Sequence, residues 1–225
     1  MFKKGLNLQM FLVVGAIVLA TVIIVFCAVS CSGENLTFEE TYFFVCYRMS
    51  DNAVSAGSLS NTASSYGGAG YILYHNDNYY VTLSCYYKKD EAETVCSNLK
   101  KHDLECTVLK IETKEYKLNN QNAINNKELY LGNLNTLNSL SSLAYDCANG
   151  LDTGTYSQSK AKQILTSITD TLKGLLRTNA NNCFTESIQS AILECESISS
   201  GYLFSKNMRY IQIALADRII NVQLN

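Results

Sequence analysis

From residue 5 to residue 33 the chain carries no charged side chain, and within that stretch residues 10–29, MFLVVGAIVLATVIIVFCAV, form an apolar run 20 residues long. Wound as a helix it measures about 30 Å, the thickness of a bilayer's hydrocarbon core. Lys3 and Lys4 precede it, and Glu34, Glu39 and Glu40 follow it. The positive-inside bias therefore predicts a single transmembrane helix with the short N-terminus in the cytoplasm and everything from Ser32 onward outside the cell membrane. Two alternatives stay open. One is a cleaved signal peptide, whose apolar core usually spans only about 7–15 residues. The other is a lipoprotein anchored at Cys31, because AVSC at residues 28–31 has the form of a loose lipobox with Ala28 where Leu is usual. Residues 1–31 are thus an anchor, and residues 32–40 a polar linker.

With 18 Lys and Arg against 20 Asp and Glu, the net charge of -2 supplies no basic field for nucleic acid. The nine cysteines do not fall into metal-ligand spacings, and with only His75 and His102 beside them no zinc site or other metal cofactor is expected. Cys96, Cys147 and Cys195 lie on apolar faces of predicted helices, where a free thiol packs as a small hydrophobe. One bridge, Cys183 with Cys147 or with Cys195, remains open.

Residues 42–49, YFFVCYRM, are β-branched and aromatic enough for a strand. Ser50 or Asp51 is placed to cap a helix running through Ser65, with Ala53, Ala56 and Ala63 at helical spacing. Gly67 or Gly68 is suited to the left-handed conformation that ends it. A strand over 69–74, the turn HNDN and a strand over 79–87 make a hairpin. Ala92, Val95, Cys96 and Leu99 then fall at i, i+3, i+4 and i+7, with acidic residues at the start and Lys100 and Lys101 at the end, as the helix dipole favours. Residues 104–112 close the unit with a last strand.

Strand, helix, strand, strand, helix, strand predicts an α+β domain at residues 41–113, a ferredoxin-like βαββαβ unit with a four-stranded antiparallel sheet and both helices on one face. Side-chain alternation sends Val45, Tyr79, Val81 and Leu83 toward the helices. It sends Phe44, Cys46, Arg48, Tyr80, Thr82, Ser84 and Tyr86 to the opposite face. Tyrosine rings there offer flat apolar surface to sugar C–H groups, and Thr82, Ser84 and Arg48 offer hydrogen bonds to hydroxyls. The same amphipathic surface equally suits burial under the rest of the chain or under a second copy.

The stretch YYVTLSCYYKKDEAETVCSNLKKHDLECTVLKI, residues 79–111, and GGAGYILY, residues 67–74, are similar to the SPOR (sporulation-related repeat) domain family. The resemblance covers residues 41–112, about a third of the chain. It implies binding of bacterial peptidoglycan, favouring glycan strands stripped of stem peptides, outside a single membrane anchor in proteins of division and sporulation.

Residues 114–225 show four amphipathic helical patterns, each stable only against the others, and predict an antiparallel helical bundle. No nucleophile motif, phosphate loop or paired carboxylate stands out in either half. The expectation is therefore a membrane-anchored, non-enzymatic binder of peptidoglycan glycan strands, with a protein partner for the bundle. The alternative is an assembly protein of a division or sporulation complex that uses protein contacts alone.

Overall fold

A computed structural model describes residues 34–118, 120–179 and 182–224. The elements are β1 (Glu34–Ser50), α1 (Ala53–Ser65), β2 (Tyr71–His75), β3 (Asn78–Tyr86), α2 (Lys89–Lys101) and β4 (Thr107–Leu118). Then come α3 (Gln121–Asn125), α4 (Lys127–Asp152), α5 (Gln158–Thr178), α6 (Thr185–Ser199) and α7 (Ser205–Asn221). The strands form one antiparallel sheet in the order β2-β3-β1-β4, the order that two interleaved split strand-helix-strand units give.

Local chemistry accounts for the boundaries. Asn52, rather than Ser50 or Asp51, caps α1, its side chain accepting from the Ser55 amide at 2.8 Å. Gly67 closes the helix at φ +85°, a conformation that costs a side-chain-bearing residue strain. In the hairpin turn Asn76 and Asp77 both take positive φ, the type I′ geometry whose twist matches that of the flanking strands. Helix α2 carries Asp90 and Glu91 in its first turn and Lys100 and Lys101 in its last.

The expected architecture needs correction in several respects. No helix among the described residues is long and apolar enough to cross a membrane. The span expected at residues 10–29, and Cys31 with it, lie outside the described residues. The polar linker expected at 32–40 is strand from Glu34 onward, paired with the end of β4 from Glu34↔Leu118 to Glu40↔Thr113. The sheet is not a two-layer unit with an exposed rear. One face packs on α1 and α2 through Phe43, Val45, Val81, Leu83, Ala56, Ala63, Ala92 and Cys96. The other face, with Leu36, Phe38, Tyr42, Phe44, Cys46, Leu73 and Cys85, shares a core with the later helices. Helices α4 and α7 lie against the sheet, and α5 and α6 pack beyond them.

Polar ties fix that second interface. Tyr42 Oη donates to Asn138 Oδ1 at 3.0 Å, Tyr87 Oη to Ser141 Oγ at 3.0 Å and Tyr71 Oη to Asp217 Oδ2 at 2.6 Å. Tyr116 Oη donates to the Ile219 carbonyl at 2.7 Å, and Gln212 Nε2 to the Cys85 carbonyl at 2.9 Å. Burial drives the hydroxyls of Tyr42, Tyr71 and Tyr116 well above the ordinary tyrosine range, so they remain donors. Cysteines 46, 85, 96, 106, 147, 183 and 195 are thiols in this structure, and the bridge from Cys183 to Cys147 or Cys195 is not formed in it.

Phe44 is fully buried in the shared layer. Phe44→Ala is expected to cost about 3–5 kcal/mol in urea unfolding. Sheet and helix signals should be lost together in one transition; two separated transitions would mean that the halves fold independently.

The Asp217 carboxyl is held above its ordinary value of 3.8, chiefly by burial, against the opposing pull of hydrogen bonds from Tyr71 and Asn221 and of Arg218. Folding thus favours its protonated form, so its contribution is complete below 3.8 and is lost as pH climbs through the raised folded value. Asp217→Asn keeps an acceptor for Tyr71. Its melting midpoint relative to the native protein should rise between about pH 3.5 and about pH 7, and a flat or falling difference would contradict this assignment.

Candidate functional site

The seven residues expected on one open face are divided by two β-bulges. Val45 pairs with Ser84 and Cys46 with Thr82, which leaves Leu83 as an extra residue on β3. Side chains on either side of a bulge change parity. Ser84 and Tyr86, opposite Val45 and Phe43, therefore point toward α1 and α2, whereas Phe44, Cys46 and Thr82 point toward α4 and α7. Tyr47 is the compensating extra residue on β1, so Arg48 comes opposite Val81 instead of continuing the Phe44–Cys46 row.

Burial follows from this geometry. Phe44, Cys46 and Thr82 are 0% exposed, Ser84 4% and Tyr86 6%. Thr82 spends its hydroxyl on the Tyr71 carbonyl at 2.9 Å, and burial pushes the Cys46 and Cys85 thiols far above their ordinary range. None of these five side chains is presented to solvent. Arg48 is exposed, and Tyr80 is half-buried, packed against the shared core with part of its surface open.

Arg48 and Tyr80 lie together in a cleft of about 770 Å³, lined also by Tyr47, Met49, Lys100, Asp103, Leu104, Glu105, Cys106 and Thr107. The cleft exists because β4 pairs with β1 only as far as Cys46↔Thr107, while β1 runs on to Ser50. The strand edge beyond Cys46 is left without β4. The α2–β4 connection, turned by Asp103 at φ +59°, forms the facing wall.

Inside the cleft, Glu105 Oε2 accepts from Arg48 Nε at 3.1 Å and lies 2.8 Å from its terminal nitrogen. The guanidinium carbon stands 5.4 Å from the centre of the Tyr47 ring, which in turn meets Tyr66 at 6.2 Å. Two cations, Arg48 and Lys100, thus face two carboxylates, Asp103 and Glu105, around two tyrosine rings. The charges cancel in sum, so the site lacks the field that would collect a polyanion. Flat rings with closely set donors and acceptors suit a neutral, hydroxyl-rich ligand.

Sequence reasoning found Arg48 and Tyr80 and missed Tyr47, Lys100, Asp103, Glu105 and Thr107. The available signal was KHDLEC, a charged turn set between a secure helix and a secure strand. His75 sits beside the hairpin turn and His102 at the end of α2. Among the described residues no cluster of His, Cys, Asp and Glu has the makings of a metal site.

No family profile matches the chain, and no curated protein sequence matches it. A solved structure that does match is the peptidoglycan-binding domain of the B. subtilis cell wall lytic enzyme CwlC. It is 21% identical, with a TM-score of 0.28, and the match covers 32% of this chain and 91% of that one.

The Arg48 and Glu105 side chains are 49% and 74% exposed, and exposed pairs contribute only about 0–1 kcal/mol. Arg48→Ala and Glu105→Gln should each shift the melting midpoint by no more than about 4 °C in calorimetry. A larger drop would make the pair part of the scaffold and disqualify it as a clean probe of binding.

Proposed function

We propose that this protein is a non-catalytic binder of cell-wall glycan strands, and that the ligand lies in the cleft at the end of β1 instead of across the sheet. The observation that carries this reading is the cleft itself, where Tyr47, Tyr80, Arg48 and Glu105 meet at an open strand edge. The resemblance of residues 41–112 to the SPOR domain supports the choice of ligand, as does the β2-β3-β1-β4 order of the sheet. Sugar rings stack on tyrosine faces through their C–H groups, while the fork of Arg48 and the carboxylates of Asp103 and Glu105 hydrogen-bond the hydroxyls. In this reading the protein works outside the cytoplasm, in cell division or sporulation, and the helical half keeps the sheet rigid behind the cleft.

A second reading, assembly of an envelope complex through protein contacts alone, draws on a different surface. Tyr202 and Phe204 are 64% and 54% exposed, their rings 4.8 Å apart, at the junction of α6 and α7.

Cosedimentation with purified sacculi, before and after amidase removal of stem peptides, separates the two. The full chain should be retained, more strongly after amidase treatment. Arg48→Ala and Tyr80→Ala should each weaken retention about three- to tenfold with folding intact. Absence of retention in both preparations, together with self-association that Phe204→Asp abolishes, would replace the glycan reading with the assembly reading.

A further inference from the structure

We propose that Cys96 and Cys106, thiols in this structure, join in a disulfide on oxidation, and that their bond staples the outer wall of the cleft to the helix behind it. Cys96 lies in the last turns of α2, and Cys106 ends the connection into β4. The two are 4% and 3% exposed and belong to the same core beneath the sheet. Cys106 Sγ lies 3.1 Å from the carbonyl oxygen of Cys96, which sets the two residues side by side. The other thiols are placed differently. Cys46 and Cys85 sit on neighbouring strands, but their cross-strand partners are Thr82 and Phe44, and Cys46 turns its sulfur to the Phe44 carbonyl. Cys147 and Cys195 belong to separate helices, α4 and α6.

The segment this bond would hold has little else to hold it. Asp103 and Glu105 are exposed, and the connection is tied to α2 by the backbone bonds Asp103 N to Lys100 O at 3.2 Å and Leu104 N to Leu99 O at 3.1 Å. Glu105 carries the ion pair to Arg48 across the cleft. Fixing Cys106 therefore fixes the carboxylate beside it, and only this last consequence rests on the glycan reading.

The chemistry is thiol–disulfide exchange with a small disulfide such as oxidised glutathione. One cysteine thiolate attacks a glutathione sulfur, forming a mixed disulfide and releasing one reduced glutathione. The second thiolate then displaces the other glutathione and closes the Cys96–Cys106 bond. Two thiol protons leave, two electrons pass to the reagent, and one disulfide becomes two thiols. In the folded protein the Cys106 thiol is pushed up to about 12, first by burial and then by its neighbour Cys96. Thiolate is scarce there, so the exchange belongs to folding, while both residues are still wet.

The test is to refold the full chain in a glutathione redox buffer, and in parallel under dithiothreitol, followed by trapping, denaturation and tryptic digestion without reduction. Cleavage after Lys89, Lys100, Lys101 and Lys110 separates the cysteines into peptides 90–100 and 102–110. These two peptides should appear joined, at a mass two hydrogens below their sum, from the glutathione sample only. The oxidised protein should melt about 5–10 °C above the reduced one. Cys106→Ala should abolish both the link and the gain. Recovery of both peptides fully alkylated from the glutathione sample, or either cysteine joined elsewhere, would overturn the pairing. If the link forms and neither redox form binds sacculi, the disulfide stands and the glycan reading falls alone.

Discussion

A sheet built from two split strand-helix-strand units places both of its own helices on one side, so the opposite face must be wet or covered. Here it is covered by α4 and α7, and the rest of the molecule follows from that interface. Its apolar part is a row from Leu36 through Tyr42, Phe44 and Cys46 on the central strand β1. Covering such a row in a low-dielectric layer is favourable only if the polar atoms taken in with it find partners. Tyrosines meet that condition because each brings a ring to the layer and a hydroxyl to its rim. The hydroxyls of Tyr42, Tyr71 and Tyr116 on the strands, and of Tyr87 just past β3, cross to α4 and α7. Gln212, itself fully buried, reaches the Cys85 carbonyl next to the bulge.

Once both faces serve as core, binding is confined to the ends and edges of the sheet. The β1 end offers the combination a hydroxyl-rich ligand needs, with aromatic surface and both signs of charge on an unpaired strand edge. The β4 edge is different. Lys110, Glu112, Lys114 and Lys117 line it, and charges of that density discourage strand pairing with another chain. The Arg48–Glu105 pair is exposed enough to trade partners at little cost to stability, a property suited to a binding surface and of little use to a scaffold.

The order of elements and their packing on α1 and α2 are thus one matter, and exposure of the second face is a separate one. A signal of two-sided burial was present in the primary structure. Residues 42–46, YFFVC, are apolar without interruption and all buried, the mark of a strand covered on both sides, whereas a half-exposed antiparallel strand alternates. On β3 the polar Thr82 and Ser84 imitate such alternation, and both are buried as well.

What the primary structure determined by itself was local: the type I′ turn at Asn76 and Asp77, the glycine that ends α1, the charge-polarised α2, the βαββαβ order and the apolar stripes of the helical half. Each depends on residues within a few positions of one another, and steric limits on φ together with hydrophobic period are enough to specify them. Tertiary structure alone decided the register around Leu83 and Tyr47, the extension of β1 back to Glu34, and the closing of the sheet by α4 and α7. A one-residue bulge reverses which side a side chain faces, and its position is chosen by packing between segments far apart in the chain. For that reason Arg48 and Tyr80 kept their place at the surface while Phe44, Cys46, Thr82, Ser84 and Tyr86 became core.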